Sequence, residues 1–243
     1  MKKYSNFISI GFFCSVALEL ERVGLRSTSS PFDWLICSAH GVSKLIENKF
    51  DCFLDVDILM QDSEHRDHYY NPMYNVWFYH DFNKYRSLAE QIQNVREKYQ
   101  RRIVRFYNQI CNPTLFVRYI ANYDEVVWWN ENIDNFLSMI RVYNRENNIL
   151  FIANEGIDSD KILIYHVQPD ENDTVARKPL DKNIDLRKFL ENVPCSKRQD
   201  NLRIYYRKQQ QEGVFGGKIA SLKRSLQQHF LKEYVHNKIY YKE

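Results

Sequence analysis

Cys14 lies where a strand-like segment of the sequence gives way to a helical one. Residues 6–10 predict a short strand, Gly11 breaks it, and residues 14–23 carry apolar side chains at helical spacing. Unpaired backbone N–H groups and the positive end of the helix dipole gather at such a turn. They stabilise a thiolate, and they could hold the oxyanion that forms when a carbonyl is attacked. The pattern favours a nucleophilic cysteine, and the alternative is a structural cysteine buried beneath the sheet.

A nucleophilic cysteine needs a base, usually a histidine that folding brings near. His80 is the best candidate among the seven histidines because it ends the aromatic strand predicted over residues 76–79. Catalytic groups often emerge at the end of a strand. Asp81 or Asp33 could orient the imidazole, as the third member of a catalytic triad does. The alternative is a capping or surface histidine.

The other histidines and the cysteines predict no metal centre. His65 and His68 flank Asp67, but this spacing matches no common zinc motif. His166 is interpreted as a half-buried strand residue. The five cysteines are widely spaced and form no CxxC pair, which favours reduced thiols and a cytoplasmic location.

Several side chains could contact a substrate. Arg101 and Arg102 are adjacent on a predicted helix and point about 100° apart, so only one can face a site directly. Such an arginine could clamp a phosphate or a carboxylate. Arg118 interrupts an apolar strand and needs a partner if it is buried. Two further candidates follow predicted catalytic residues directly in sequence: Ser15 after Cys14, and Trp34 after Asp33.

The order of predicted elements indicates an α/β fold with a central, mostly parallel sheet flanked by helices. Residues 85–110 form the clearest amphipathic helix, and residues 115–120, 149–153 and 162–167 are strand-like. A further helix is predicted over residues 132–143. We predict an α/β domain at residues 1–169 and a helical extension at residues 170–243 that packs on it, with a helix over residues 218–235.

Bulk composition limits the class of protein. The chain has 243 residues, of which 44% are hydrophobic and 27% charged, as in one large globular domain. A net charge of +3 does not indicate nucleic-acid binding. Apolar residues 8–18 imitate a signal peptide, but Glu19 and Glu21 follow at once, so none is expected. No stretch approaches the roughly 18 apolar residues of a membrane span.

The sequence carries a set of short motifs, in order Ile8–Cys14, Gly24–Arg26, Ser30–Trp34, Phe78–Phe82, Tyr99–Phe106 and Leu115–Arg118. Together they resemble a bacterial family of papain-like cysteine peptidases. The resemblance covers roughly residues 7–155. It implies that Cys14 is the nucleophile and His80 the base. Papain-like architecture is implied by family analogy alone, because a helical half facing an antiparallel sheet differs from the strand–helix alternation predicted above.

The resemblance extends to a related papain-like group from capsular-polysaccharide gene clusters that looks like coenzyme A-dependent acetyltransferases. Three functions follow as expectations. The first is acyl transfer through Cys14 to a small molecule or glycan precursor, with no required cofactor and with coenzyme A or an acyl-coenzyme A as a candidate donor. The second is a cysteine peptidase or amidase. The third is a non-catalytic module, in which Trp128 and Trp129 would mark a carbohydrate- or protein-binding surface.

Overall fold

The computed structural model describes residues 3–12, 14–120, 122–153, 156–157, 159–166 and 183–216, with side chains to residue 211. Its elements, in chain order, are β1 (Asn6–Ser9), α1 (Cys14–Arg22), β2 (Leu35–Cys37), α2 (Ala39–Glu47), β3 (Met60–Gln61), β4 (Tyr69–Asn71), β5 (Val76–Phe78), α3 (Leu88–Ile110), β6 (Thr114–Tyr119), α4 (Tyr123–Arg141), β7 (Asn148–Ala153), β8 (Leu163–His166), α5 (Ile184–Asn192) and α6 (Arg198–Gly216).

Four of these strands form a parallel sheet in the order β1-β6-β7-β8. The register pairs Asn6 with Thr114 and Ser9 with Val117, so β1 and β6 start at the same height and β6 extends two residues further. Every residue of β6 is buried, as expected for a parallel strand covered on both faces. The α/β class with a parallel sheet flanked by helices is confirmed.

Alternate residues of the parallel strands enter two separate cores, because successive side chains point to opposite faces of a sheet. On one face, Val117 of β6 packs with Leu20 of α1 and Leu190 of α5. On the other face, Phe116 packs with Phe106 of α3 and with the side chains of α4. The sheet therefore lies between α1 and α5 on one side and α3 and α4 on the other.

A second sheet is antiparallel, with the order β2-β5-β4-β3, and it was not predicted. The polar, irregular composition of residues 51–72 predicts a loop, and the segment directly after Trp34 predicts a helix, but both predictions are wrong in part. β2 precedes the helix α2, and β3 and β4 lie within the expected loop. These strands have only two or three residues each, too few for a period-two pattern to be visible.

Side-chain caps set the starts of the two long helices. α3 begins at Leu88 rather than at residue 85, because Ser87 and Glu90 form a reciprocal capping box. α4 begins at Tyr123, well before the predicted residue 132, because Asn122 accepts a hydrogen bond from the backbone N–H of Glu125. In both cases the cap, rather than the apolar stripe, marks the boundary.

The described part of the C-terminal region packs on α1. The Arg198 side chain donates to the carbonyl oxygen of Val23, and Asn201 donates to that of Gly24 at 3.1 Å. The predicted boundary near residue 169 and the helix predicted over residues 218–235 lie outside the described residues. Among the helices that the structure describes, none has the length and apolarity to cross a membrane.

Candidate active site

The turn between β1 and α1 lies at the carboxyl ends of β1 and β6. The Ile10 N–H donates to the carbonyl oxygen of Val117, and the Tyr119 N–H donates to that of Gly11. The backbone hydrogen bonding between β1 and β6 therefore continues beyond the last residue of β1. Gly11 has a φ of +95°, which L-residues with a side chain rarely adopt. A Cβ at Gly11 would lie 2.9 Å from Nη1 of Arg118, so the close approach of that guanidinium also requires glycine.

Cys14 is the first residue of α1, is half-buried and forms no disulfide. No acidic residue lies in the first turn of the helix, so no side-chain carboxylate of that turn opposes the positive end of the helix dipole. The amino end of a helix is a position at which proteins stabilise thiolates. The neighbouring Ser15 is buried, and its hydroxyl has no hydrogen-bond partner among the described residues.

Arg118 is completely buried, and its guanidinium is held by protein groups. Nη1 donates to the carbonyl oxygen of Ile10 at 2.5 Å, and Nη2 donates to that of Cys37 at 2.9 Å. Glu125 of α4 forms a bidentate ion pair with Nε and Nη2. The guanidinium also lies 5.9 Å from the centre of the Phe12 ring. We expected Arg118 to bind substrate, whereas this internal placement favours a positioning role.

His80 lies two residues beyond the end of β5 and is half-buried. The edge of its ring contacts Trp34, with ring centroids 6.0 Å apart, so Trp34 lies beside the predicted base. Burial lowers the pKa of His80, and the charge of Lys98 lowers it further, while the Asp81 carboxylate opposes both effects. The imidazole is therefore neutral near pH 7, which is the form that can accept a proton.

α3 fixes the carboxylate of Asp81. The Tyr99 hydroxyl donates to Oδ2 at 2.7 Å, and Lys98 forms an ion pair with Oδ1. Both Tyr99 and the carboxylate are almost fully buried. Sequence reasoning missed the roles of Lys98 and Tyr99, although Tyr99 lies within the apolar stripe of the helix, where a tyrosine hydroxyl needs a buried partner.

Asp33 anchors the loop that precedes β2. Its Oδ2 pairs with Arg26 and accepts a hydrogen bond from the Ser30 N–H at 2.8 Å. Oδ1 has no hydrogen-bond partner in the described structure, and burial raises the pKa of Asp33 in spite of the arginine. The partners of Asp33 therefore lie within its own loop. Asp81, by contrast, is adjacent to His80 in sequence and raises the pKa of that histidine.

Only one of the two adjacent arginines of α3 faces the interior. Arg102 is half-buried with its guanidinium 5.2 Å from the centre of the Tyr99 ring, and Arg101 is exposed. Nη1 of Arg102 is buried and has no hydrogen-bond partner within the part of the chain that the structure describes. Burial is the largest effect on the pKa of Asp33 and raises it, whereas the positive charge of Arg102 lowers it.

Four other histidines lie within the described residues: His40, His65, His68 and His166. His65 and His68 stack at 4.8 Å, and His68 packs edge-on against Tyr79. Burial lowers the pKa of His68 to about 4. His166 is exposed at the end of β8, so the half-buried placement was wrong. Across the described ranges, no cluster of three or more histidine, cysteine or acidic side chains could hold a metal ion.

The two adjacent tryptophans of α4 contribute mainly to the core. Trp129 is completely buried and packs against Phe136 and Phe151. Trp128 is half-buried and lies 6.2 Å from the exposed ring of His40. Of this pair, therefore, Trp128 alone could present a ring face to a ligand.

The strand–turn–helix that carries Cys14 makes this an α/β protein with a candidate thiol nucleophile at the carboxyl edge of a parallel sheet. Residues 5–168 match the family described as "Putative papain-like cysteine peptidase (DUF1796)", and the chain belongs to that family. It is 28% identical over 178 residues to the uncharacterized protein R408 of Acanthamoeba polyphaga mimivirus, covering 63% of this chain and 80% of that relative. No solved structure matches the chain.

Proposed function

We propose that this protein is a cysteine-dependent enzyme that forms a thioester on Cys14, with His80 as general base and acid. The observation that carries the proposal is the position of the thiol at the amino end of α1, directly after the turn at the carboxyl edge of the parallel sheet. A half-buried histidine whose pKa is lowered supports it, because a neutral imidazole can accept the thiol proton. Membership of the papain-like peptidase family supports the same chemistry.

The proposed reaction has two steps. His80 takes the proton of Cys14, the thiolate attacks the substrate carbonyl, and the new C–S bond forms as the bond to the leaving group breaks. His80 then gives the proton to the leaving amine. In the second step water attacks the thioester and His80 accepts its proton. His80 then returns that proton to the sulfur as the C–S bond breaks, which releases a carboxylic acid and regenerates the thiol.

We assign the orienting role to Asp81 rather than Asp33. The Asp81 carboxylate is fixed by Tyr99 and Lys98 and raises the pKa of the adjacent imidazole. A carboxylate held in this way stabilises the imidazolium that forms during the reaction. Asp33 has the separate role of holding the loop that leads to Trp34.

Hydrolysis of an amide or peptide is the reaction that the family favours. It requires no cofactor, and its substrate would be a small molecule or a peptide. None of the five cysteines forms a disulfide, which suits a reducing compartment, so we place the reaction in the cytoplasm.

The test uses the rate at which iodoacetamide alkylates Cys14 as a function of pH, with turnover of a peptide library as a second readout. We expect alkylation to remain fast below the pH at which a free cysteine titrates, and Cys14→Ser and His80→Ala to abolish turnover. Cys111→Ser is the matched control because Cys111 is an exposed thiol at the end of α3. Turnover that persists in Cys14→Ser would refute the proposal.

Acyl transfer to a hydroxyl of a glycan precursor is a second candidate, favoured by the buried Nη1 of Arg102 that has no hydrogen-bond partner in the described structure. Such a cation could bind a phosphate of coenzyme A. In this reaction an acyl-coenzyme A supplies the acyl group, its thiolate leaves, and the acceptor hydroxyl replaces water in the second step. Calorimetry with acetyl-coenzyme A and with Arg102→Gln separates the two functions, because a hydrolase is expected to show no binding.

A further inference from the structure

One buried side chain is hydrogen-bonded to residues at both sheets. Arg118 belongs to β6 of the parallel sheet, and its Nη2 reaches the carbonyl oxygen of Cys37 at the end of β2 in the antiparallel sheet. Its Nη1 reaches the carbonyl oxygen of Ile10 at the start of the turn that leads to Cys14. One guanidinium therefore connects the turn that carries the thiol with the sheet that carries the imidazole.

Each of these contacts is connected to a proposed catalytic residue through a turn or a strand pairing. Ile10 is four residues before Cys14, and the intervening Phe12 ring lies 5.9 Å from the guanidinium. Cys37 pairs with Val76 at the start of β5, and the chain reaches His80 two residues after β5 ends.

The local structure is adapted to this guanidinium. Gly11 leaves no room for a Cβ, which would lie 2.9 Å from Nη1. Glu125 of α4 supplies a bidentate counter-charge, without which a completely buried cation would be strongly unfavourable. A planar fork with five donors can satisfy two carbonyls and a carboxylate at once, whereas a lysine ammonium cannot match that geometry.

We propose that Arg118 is a positioning residue that sets the placement of Cys14 relative to His80 by fixing the β1–α1 turn to the end of β2. This inference rests on the proposed function, since it assigns Arg118 to the same site. It replaces the substrate-binding role expected for this residue, because a buried guanidinium with four protein contacts has no accessible donor for a ligand.

The test compares Arg118→Lys with Arg198→Lys. Arg198 is a matched control because its guanidinium also donates to several carbonyl oxygens, those of Val23, Leu190 and Val193, in the interface between α1 and the C-terminal helices. Both variants are first checked for a folded state by circular dichroism and a cooperative melt. The readouts are the pH profile of Cys14 alkylation by iodoacetamide, and kcat and KM for a substrate from the peptide library.

For Arg118→Lys we expect the alkylation profile to move to higher pH, toward that of a free cysteine. A shift of one pKa unit would lower the alkylation rate by about tenfold on the acidic limb. We also expect kcat to fall while KM changes little, because the substrate contacts remain. Arg198→Lys is expected to lower the melting temperature without changing the alkylation profile, since it loosens a region remote from the β1–α1 turn.

Arg118→Ala provides a second, independent test. Guanidinium ion at millimolar concentration can occupy the space left by the missing side chain. Guanidinium chloride is therefore expected to return the alkylation profile to that of the wild-type protein, whereas sodium chloride at the same concentration is expected to have no effect. A folded Arg118→Lys with the wild-type profile and kcat would overturn the inference, as would an equal shift in Arg198→Lys. If instead wild-type Cys14 alkylates like a free cysteine, it is the proposed function that fails.

Discussion

Replacing Tyr99 by phenylalanine tests whether α3 holds the Asp81 carboxylate as described. The variant removes one hydroxyl, which donates to Oδ2 at 2.7 Å, and leaves the ring in place. Tyr99 is 1% exposed and the Asp81 side chain is 2% exposed, so water cannot easily replace the lost donor. A hydrogen bond to a buried charged group contributes about 1.5–3 kcal/mol, so we expect the free energy of unfolding to fall by about 2 kcal/mol.

Two other tyrosines provide matched controls for Tyr99→Phe. The Tyr107 hydroxyl donates to the neutral carbonyl oxygen of Ile46 at 2.9 Å in a partly buried site, so Tyr107→Phe is expected to cost about 1 kcal/mol. The Tyr70 hydroxyl donates to Asn75 at 3.1 Å in an exposed site, and Tyr70→Phe is expected to cost less than about 0.5 kcal/mol.

Urea unfolding monitored by tryptophan fluorescence measures all three variants, provided that the m-values agree. For a chain of this size a loss of about 2 kcal/mol corresponds to a melting temperature lower by roughly 4–8 °C. The decisive result is the order of the three losses. If Tyr99→Phe cost no more than Tyr70→Phe, Asp81 would not depend on α3, and its assignment as the fixed orienting group would be wrong.

Three further predictions concern other parts of the fold. The NMR titration of His80 is expected to have a midpoint below its ordinary value of 6.5, because burial disfavours the imidazolium, and a midpoint above 6.5 would contradict this. His68, whose pKa falls to about 4 in the folded state, contributes stability that is complete above pH 6.5 and lost as the pH falls toward 4. His68→Asn should flatten that dependence in urea titrations, and unchanged slopes would refute it. Gly41→Ala is expected to cost at least about 3 kcal/mol in thermal unfolding, because its Cβ would lie 1.9 Å from the carbonyl oxygen of Tyr74, whereas Ser43→Ala on the same helix should cost little.

The parts of the fold that the sequence predicted well are those with long, regular patterns. The apolar stripe from Leu88 to Ile110 has more than five turns, and the strands β6 and β7 are continuous apolar runs of the kind found in buried parallel sheets. The antiparallel sheet was missed because β3 has two residues and depends on pairing with β4 rather than on its own composition.

The candidate site was predictable by residue type but not by contact. The position of Cys14 after Gly11 was visible in the sequence, because a glycine between a strand and a helix indicates a turn. The partners of Arg118 were not visible. They come from β1, β2 and α4, and only the sheet order brings those elements together. The roles of Lys98 and Tyr99 were hidden in the same way, since they depend on the path of the chain after β5.

The packing of α5 and Arg198 on α1 affects the choice of fragment for recombinant expression. The family match ends at residue 168, yet Leu186 and Leu190 of α5 and the side chain of Arg198 close over the helix that begins with Cys14. A recombinant fragment trimmed to the matched segment would leave Leu20 and its neighbours open to water and prone to self-association. The matched segment is therefore shorter than the length of chain that packs around α1.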